Sequence, residues 1–220
     1  MRSSSHGSCG RRIAISRATS HRCAPHRWRA SRERSELQRQ ASRTSSNGRV
    51  FWGAALTVVF FDVLTKLLVQ HSLHELEPKR IFGEYVRFTL VYNRGAAFSM
   101  SLGSQSRWIF GSFALIALYI LWKLYRQSAP GERARALALG LAWGGAAGNL
   151  IDRIREPRGV VDFVDVGVGT VRFWTFNVAD SAVTAGAVLL AWVLWREDRE
   201  TSMAKKPTTD ATRVEGRTGT

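Results

Sequence analysis

Apolar residues along this chain are gathered into four blocks. They run from Phe51 to Val69, from Trp108 to Tyr125, from Ala136 to Ile151 and from Phe176 to Trp195. Each approaches the roughly 20 residues that carry an α-helix across a bilayer core. The third is the shortest, and alone it would pass for a helix buried in a soluble core. Four such blocks in one short chain predict a membrane bundle. Between them the period changes. Tyr85-Val-Arg-Phe-Thr-Leu-Val-Tyr92 alternates apolar and polar positions as a strand does. Val160–Val164 and Val171–Trp174 also read as short strands, separated by Gly167 and Gly169. The predicted fold is integral membrane α-helical: a four-transmembrane-helix bundle with a small extracytoplasmic β-sheet. Within the third block, Gly140, Gly144 and Gly148 recur every fourth residue. Such a face lets a second helix approach closely in lipid.

Composition changes this picture only at the ends. Whole-chain mean hydropathy is −0.13, but the average conceals segregation. Residues 1–49 hold twelve Arg and two acids, Glu33 and Glu36, and supply most of the net charge of +15. Three parts follow: a basic, disordered arm over residues 1–49, a membrane domain over 50–197 and a disordered polar tail over 198–220. The arm reads as a solvated cytoplasmic extension. An Arg-rich segment can also bind anionic lipid or nucleic acid, and its acid-poor composition fits a transit peptide. Nucleic acid is not the expected partner. Basic residues cluster before Phe51, between the second and third blocks (Lys123, Arg126, Arg133, Arg135) and after Trp195. By the positive-inside rule these segments, and both termini, face the cytoplasm. Lys79, Arg80, Arg87, Arg94 and Arg158 make the asymmetry moderate.

Candidate chemistry comes from polar residues inside apolar surroundings, where charge costs about 2.5–3.5 kcal/mol on insertion scales. Asp62, Thr65 and Lys66 share one helical face at i, i+3 and i+4, and Asp62 can pair with Lys66. That pair reads equally as a structural tie or as part of a site. Asn149, Asp152 and Arg153 repeat the spacing, as an interfacial salt bridge would. Asp162 and Asp180 stand apart, because Asp180 has no cation within four residues and Asp162 none within three. Topology brings both to the outer membrane boundary. Two carboxylates a few Å apart share a proton near neutral pH, so one can act as base while the other acts as acid. Asp152 is a third candidate acid. Both cysteines, Cys9 and Cys23, lie in the arm, so the apolar blocks hold no thiol nucleophile. His21, Cys23 and His26 lack a fourth ligand, so no metal or cofactor is expected. A small proton-coupled transporter and a membrane scaffold are the other classes open to such a chain.

Five motifs occur in order: Asp62-x-x-Thr65-Lys66, Asn93-Arg-Gly95-Ala96-Ala97-Phe98, Gly144-Gly145-Ala-Ala-Gly148-Asn149-x-x-Asp152-Arg153, Val160-Val-Asp162-Phe163 and Phe176-Asn177-x-Ala179-Asp180. Together they resemble the lipoprotein signal peptidases (signal peptidase II), over residues 51–195. The resemblance implies a four-helix membrane aspartyl endopeptidase of the bacterial inner membrane. Its substrates are diacylglyceryl-modified prolipoproteins, cleaved just before the lipidated cysteine near the outer face. It implies Asp162 and Asp180 as the catalytic pair. It gives Asp62, Lys66, Asn93, Gly95, Gly145, Asn149, Asp152, Arg153, Asn177 and Ala179 site-shaping or substrate-binding places. The expected partners are the lipidated substrate and membrane lipid. One chain supplies both aspartates, so a monomer is expected.

Overall fold

The computed structural model describes residues 25–95 and 105–204. The chain divides into two units, residues 1–39 and 40–220. In the first, the described part is the opening of helix α1 (Pro25–Ser72). This helix starts inside the stretch assigned from composition to a disordered arm, so residues 25–49 are helical. Proline is tolerated in a first helical turn. After it, no Pro or Gly interrupts a run rich in Arg, Ala, Glu, Leu and Gln until Gly48. The stretch 1–24, with both cysteines, and the stretch 205–220 lie outside the described residues. So does Ala96-Ala97-Phe98.

The second unit holds, in order, the rest of α1, β1 (Lys79–Phe82), β2 (Val86–Asn93), α2 (Ser106–Gln127), α3 (Arg133–Arg155), β3 (Val160–Val168), β4 (Val171–Arg172) and α4 (Val178–Ala204). It is mostly helical with one small antiparallel sheet. Among the described residues, three helices are long and apolar enough to cross a membrane: Ser46–Ser72, Ser106–Gln127 and Val178–Met203. The outward faces of these helices are apolar. On α2 alone Trp108, Phe113, Leu115, Ile116, Tyr119 and Ile120 are exposed. A face of that size suits hydrocarbon rather than water. α3 has the length but carries more Gly and charge, and it lies packed against α2 and α4.

The glycine stripe on α3 is a packing face, as its spacing predicts. A Cβ at Gly140 would lie 2.6 Å from the carbonyl oxygen of Phe51, and one at Gly144 would lie 2.7 Å from that of Ala55. α1 therefore touches α3 backbone to backbone, which places Asp62 and Lys66 of α1 against Asn149 and Asp152 of α3. At the opposite end of this seam, Phe51 stacks on Tyr125 with centroids 4.1 Å apart and packs with Ala136 and Leu139.

The sheet has strand order β1-β2-β3-β4, antiparallel throughout. β1 has no counterpart in the pattern-based reading. Its residues are all exposed, so no buried face imposes alternation. β3 runs through Gly167, which was expected to separate two strands. β4 is shorter than expected, two residues instead of four. Gly167 stays in the ladder because a Cβ there would meet Arg172 Cα at 2.7 Å. The sheet packs on the end of α1 through Val69, Leu90, Val161 and Phe163. Gln70 Nε2 also donates to Tyr92 Oη (3.4 Å) and to Glu156 Oε2 (3.3 Å), tying α1 to β2 and to the α3–β3 turn.

Candidate active site

The site forms where the sheet meets the ends of α3 and α4. Asn177 and Asp180 begin it. Asn177 Oδ1 accepts from the Asp180 backbone N–H at 2.9 Å, and Asp180 Oδ2 accepts from the Asn177 N–H at 3.2 Å. This reciprocal pair is a capping box with an acid at the third helical position. It satisfies two backbone donors that a helix start otherwise leaves open. It also places the Asp180 carboxylate at the positive end of the helix dipole. A third open donor, the Ala179 N–H, is taken by Asp62 Oδ1 of α1 at 2.9 Å.

Asp162 comes from β3, opposite Val91 of β2, just past an irregularity between Phe88 and Val91. The Val160–Asn93 pairing nearby requires Gly159, whose φ is +130° and whose Cβ would lie 2.5 Å from the Asn93 carbonyl oxygen. This close approach brings the Asn93 amide to Asp162 Oδ2 at 3.1 Å. Asn177 Nδ2 reaches Asp162 Oδ1 at 2.7 Å. Asn177 thus touches both acids, one with its side chain and one with its backbone. Asp162 is 3% exposed. Burial first, and the nearby Asp180 charge second, push its carboxyl up to about 7, against the pull of the Asn93 and Asn177 amides.

Asn149 completes the contacts. Its Nδ2 donates to Asp180 Oδ1 at 2.7 Å, and its Oδ1 accepts from Asn177 Nδ2 at 3.1 Å and from Lys66 Nζ at 3.0 Å. Lys66 Nζ also lies 2.7 Å from Asp62 Oδ2 and 2.8 Å from Asp152 Oδ2, with all three side chains fully buried. Asp152 is therefore paired with Lys66, and its Oδ2 accepts the Val161 N–H at 3.2 Å. Its other oxygen has Arg155 Nε at 3.3 Å, an ion pair without hydrogen-bond geometry. Of the two cations expected beside Asp152, Lys66 and Arg153, only Lys66 is there. The Arg153 guanidinium turns instead to the carbonyls of Asn149 (3.2 Å) and Gly95 (3.3 Å), on the site side of α3. Two helical positions separate Arg153 and Arg155 by about 200°, which places them on nearly opposite faces.

A cavity of about 810 Å³ opens over the two acids, lined among others by Asn93, Gly95, Arg153, Asp162, Trp174 and Asp180. Gly145 and Ala179 lie beneath it as a packing contact, since a Cβ on Gly145 would strike the Ala179 carbonyl. Asn93, Gly95, Asn149, Arg153, Asp162 and Asp180 line this cavity, and Asp62, Lys66, Asp152, Asn177 and Ala179 lie in the hydrogen-bonded layer directly behind it. Sequence reasoning missed the aromatic wall of Phe173, Trp174 and Phe176. Its available signal was an aromatic cluster at the start of an apolar block. An apolar groove of about 820 Å³ runs from Phe173 and Phe176 along α4 past Val188 to Trp192, with Asp180 at its head.

Comparison with known proteins gives a consistent result. The family described as "Signal peptidase (SPase) II" matches residues 54–196. A lipoprotein signal peptidase of Cupriavidus taiwanensis is 38% identical over 164 residues, 73% of this chain and 91% of that protein. One of Burkholderia thailandensis is 37% identical, over 71% of this chain and 94% of that protein. A bacterial membrane enzyme solved by the in meso method at 2.3 Å resolution superposes with a TM-score of 0.61 at 29% identity, covering 70% of this chain and 89% of that one.

Proposed function

The chain belongs to the signal peptidase II family, aspartic peptidases of bacterial membranes that remove signal peptides from prolipoproteins, and on that premise we propose that Asp162 and Asp180 are its catalytic pair. The observation that carries this reading is the shared contact with Asn177: two carboxyls facing one cavity, held by a common residue. Asp162, whose carboxyl is pushed up to about 7, is the acid of the pair. Asp180, which accepts from the Asn149 amide and the Asn177 N–H, is the base. Asp180 takes a proton from water as the water oxygen bonds to the scissile carbonyl carbon. Asp162 donates its proton to the carbonyl oxygen. Collapse of the tetrahedral diol breaks the C–N bond: Asp180 gives its proton to the departing nitrogen while Asp162 takes one back from a diol hydroxyl, which restores the starting pair. Arg153, anchored on the Asn149 and Gly95 carbonyls, orients the substrate backbone.

Cleavage falls just before the lipidated cysteine. The groove along α4 supports this, because it offers an apolar path for acyl chains that ends at Asp180. The membrane part comprises α3 as well as the three more apolar helices. Although α3 is less apolar, its glycine face is closed by α1 and it lies between α2 and α4. The basic α2–α3 connection supports a cytoplasmic position for that end and for both termini, with the sheet and the acids facing outward. The enzyme acts as a monomer, with the arm over 1–49 and the tail over 198–220 outside the peptidase domain.

Purified Asp162→Asn and Asp180→Asn proteins are expected to keep the wild-type thermal midpoint to within a few degrees. Each should cleave a lipidated prolipoprotein peptide at least about 10³-fold more slowly, since neither half of the acid–base pair works alone. Near-wild-type cleavage by either variant would rule out that residue.

A further inference from the structure

Lys66 is a fully buried ammonium that no step of the proposed reaction uses. Its three nearest acceptors each lead to the acids by a different route. Asp152 Oδ2, 2.8 Å away, also accepts the N–H of Val161, the residue before Asp162. Asp62 Oδ2 lies 2.7 Å away, and the other oxygen of that carboxylate accepts the N–H of Ala179, the residue before Asp180. Asn149 Oδ1, 3.0 Å away, belongs to the amide whose nitrogen donates to Asp180. A lysine has three donors and no acceptor, and here all three face oxygens.

We propose that Lys66 is a positioning residue, one that sets the placement of the Asp162–Asp180 pair by gripping, through Asp152 and Asp62, the backbone amides that precede both. This rests on the assignment of that pair. The two aspartates come from a strand and a helix that share no hydrogen-bonded ladder along their length. Their mutual placement depends on what joins β3 to α4, and the Lys66 ammonium joins them from behind. It also decides the orientation of the Asn149 amide. A cation on one side of that amide keeps its oxygen there, so the NH2 group must face Asp180. Without the cation the amide can turn and present its oxygen to a carboxylate. A structural ion pair would need one carboxylate. This site has two, each turned so that its free lone pairs reach the amide before one acid.

The experiment measures kcat and KM on a lipidated prolipoprotein peptide for Lys66→Met and for the charge-balanced Asp62→Asn/Lys66→Met protein. Thermal midpoints are recorded in parallel, with Asp180→Asn as reference. The expected result is a folded Lys66→Met protein whose kcat falls about 100-fold, as a displacement of about 1 Å in a reacting group produces. KM should stay within about threefold, since the cavity lining is untouched. In an Asn149→Ala background the further loss should be at least about threefold smaller, because part of the effect passes through that amide. A folded variant with kcat within about threefold of wild type would overturn the proposal. So would fully additive losses with Asn149→Ala. Loss of the cooperative transition in both variants would also overturn it, since Lys66 would then serve stability alone. If Asp180→Asn is active, it is the catalytic assignment that fails, whatever Lys66 does.

Discussion

A carboxyl that titrates at about 7 sits beside one that serves as an acceptor for two N–H donors, and in the proposed reaction this asymmetry divides the labour between them. The alkaline limb of the pH–kcat/KM profile is expected near pH 7, where Asp162 loses its proton. A profile flat to pH 9 would contradict the role of Asp162 as acid. Stability follows the same shift. Unfolded, Asp162 releases its proton near its ordinary pKa of 3.8; folded, near 7. Between those values the native state binds more protons, so this contribution is complete below about pH 4 and is lost as pH rises through about 7. Wild type should therefore gain thermal stability relative to Asp162→Asn as pH falls from 8 to 4.5. A constant difference across that range would refute it. The two acids were legible in the sequence because both stand in apolar text without a nearby cation. Their amide partners Asn93 and Asn149 lie 69 and 31 residues away from Asp162 and Asp180, so spacing alone could not supply them. Of the two cations offered to Asp152 by the sequence, Lys66 pairs with it and Arg153 does not, its place being taken by Arg155.

Among the elements, the β3 start and the α4 start carry the two acids, and each depends on a local device. Gly159→Ala would put a non-glycine residue at φ +130° and its Cβ into the Asn93 carbonyl. Strain of this kind costs about 1–3 kcal/mol. The expected variant has a lower thermal midpoint and loses about tenfold or more of kcat, because Val160 and Asn93 move together with Asp162. Unchanged kcat with a lowered midpoint would limit Gly159 to stability. At α4, Asn177→Ala removes the side-chain half of the capping box, which contributes about 1 kcal/mol. It also removes the amide that reaches Asp162, leaving only the backbone contact with the Asp180 carboxylate. Activity should therefore fall far more than about 1 kcal/mol of stability explains, by about 100-fold. The helices α1, α2 and α4 were legible from their apolar runs. β1 was not, because a fully exposed strand has no buried face to write an alternation into the sequence. Gly167 misled as a breaker, because a glycine serves equally where two backbones crowd.

For the whole molecule, the family match begins at residue 54, well beyond the boundary between the two units at residue 39. A chain lacking residues 1–39 is expected to insert and to cleave a lipidated peptide within about twofold of the full chain. A large loss would assign the arm a part in catalysis or assembly. Orientation has its own test. Cysteines introduced at Pro130 and at Gly83, in the α2–α3 and β1–β2 connections, should differ in labelling of intact cells by an impermeant thiol reagent. Only the Gly83 position should react, and reaction at Pro130 would invert the topology.

By itself the sequence determined which segments are apolar enough for a membrane, which face of α3 is small, and which acids lack local partners. Those properties belong to single segments, and period and composition express them directly. It also suggested the family through five ordered motifs. Only the tertiary structure decided that one lysine stands behind both acids, that Asn177 spans them, and that Arg153 faces the cavity while Arg155 reaches Asp152. The reason is physical: hydrogen bonds and ion pairs between α1, α3, β3 and α4 join residues as far as 117 positions apart, as Asp62 joins Ala179. Partners at such separations are chosen by close packing at the glycine seam and by the sheet register, neither of which a local pattern contains.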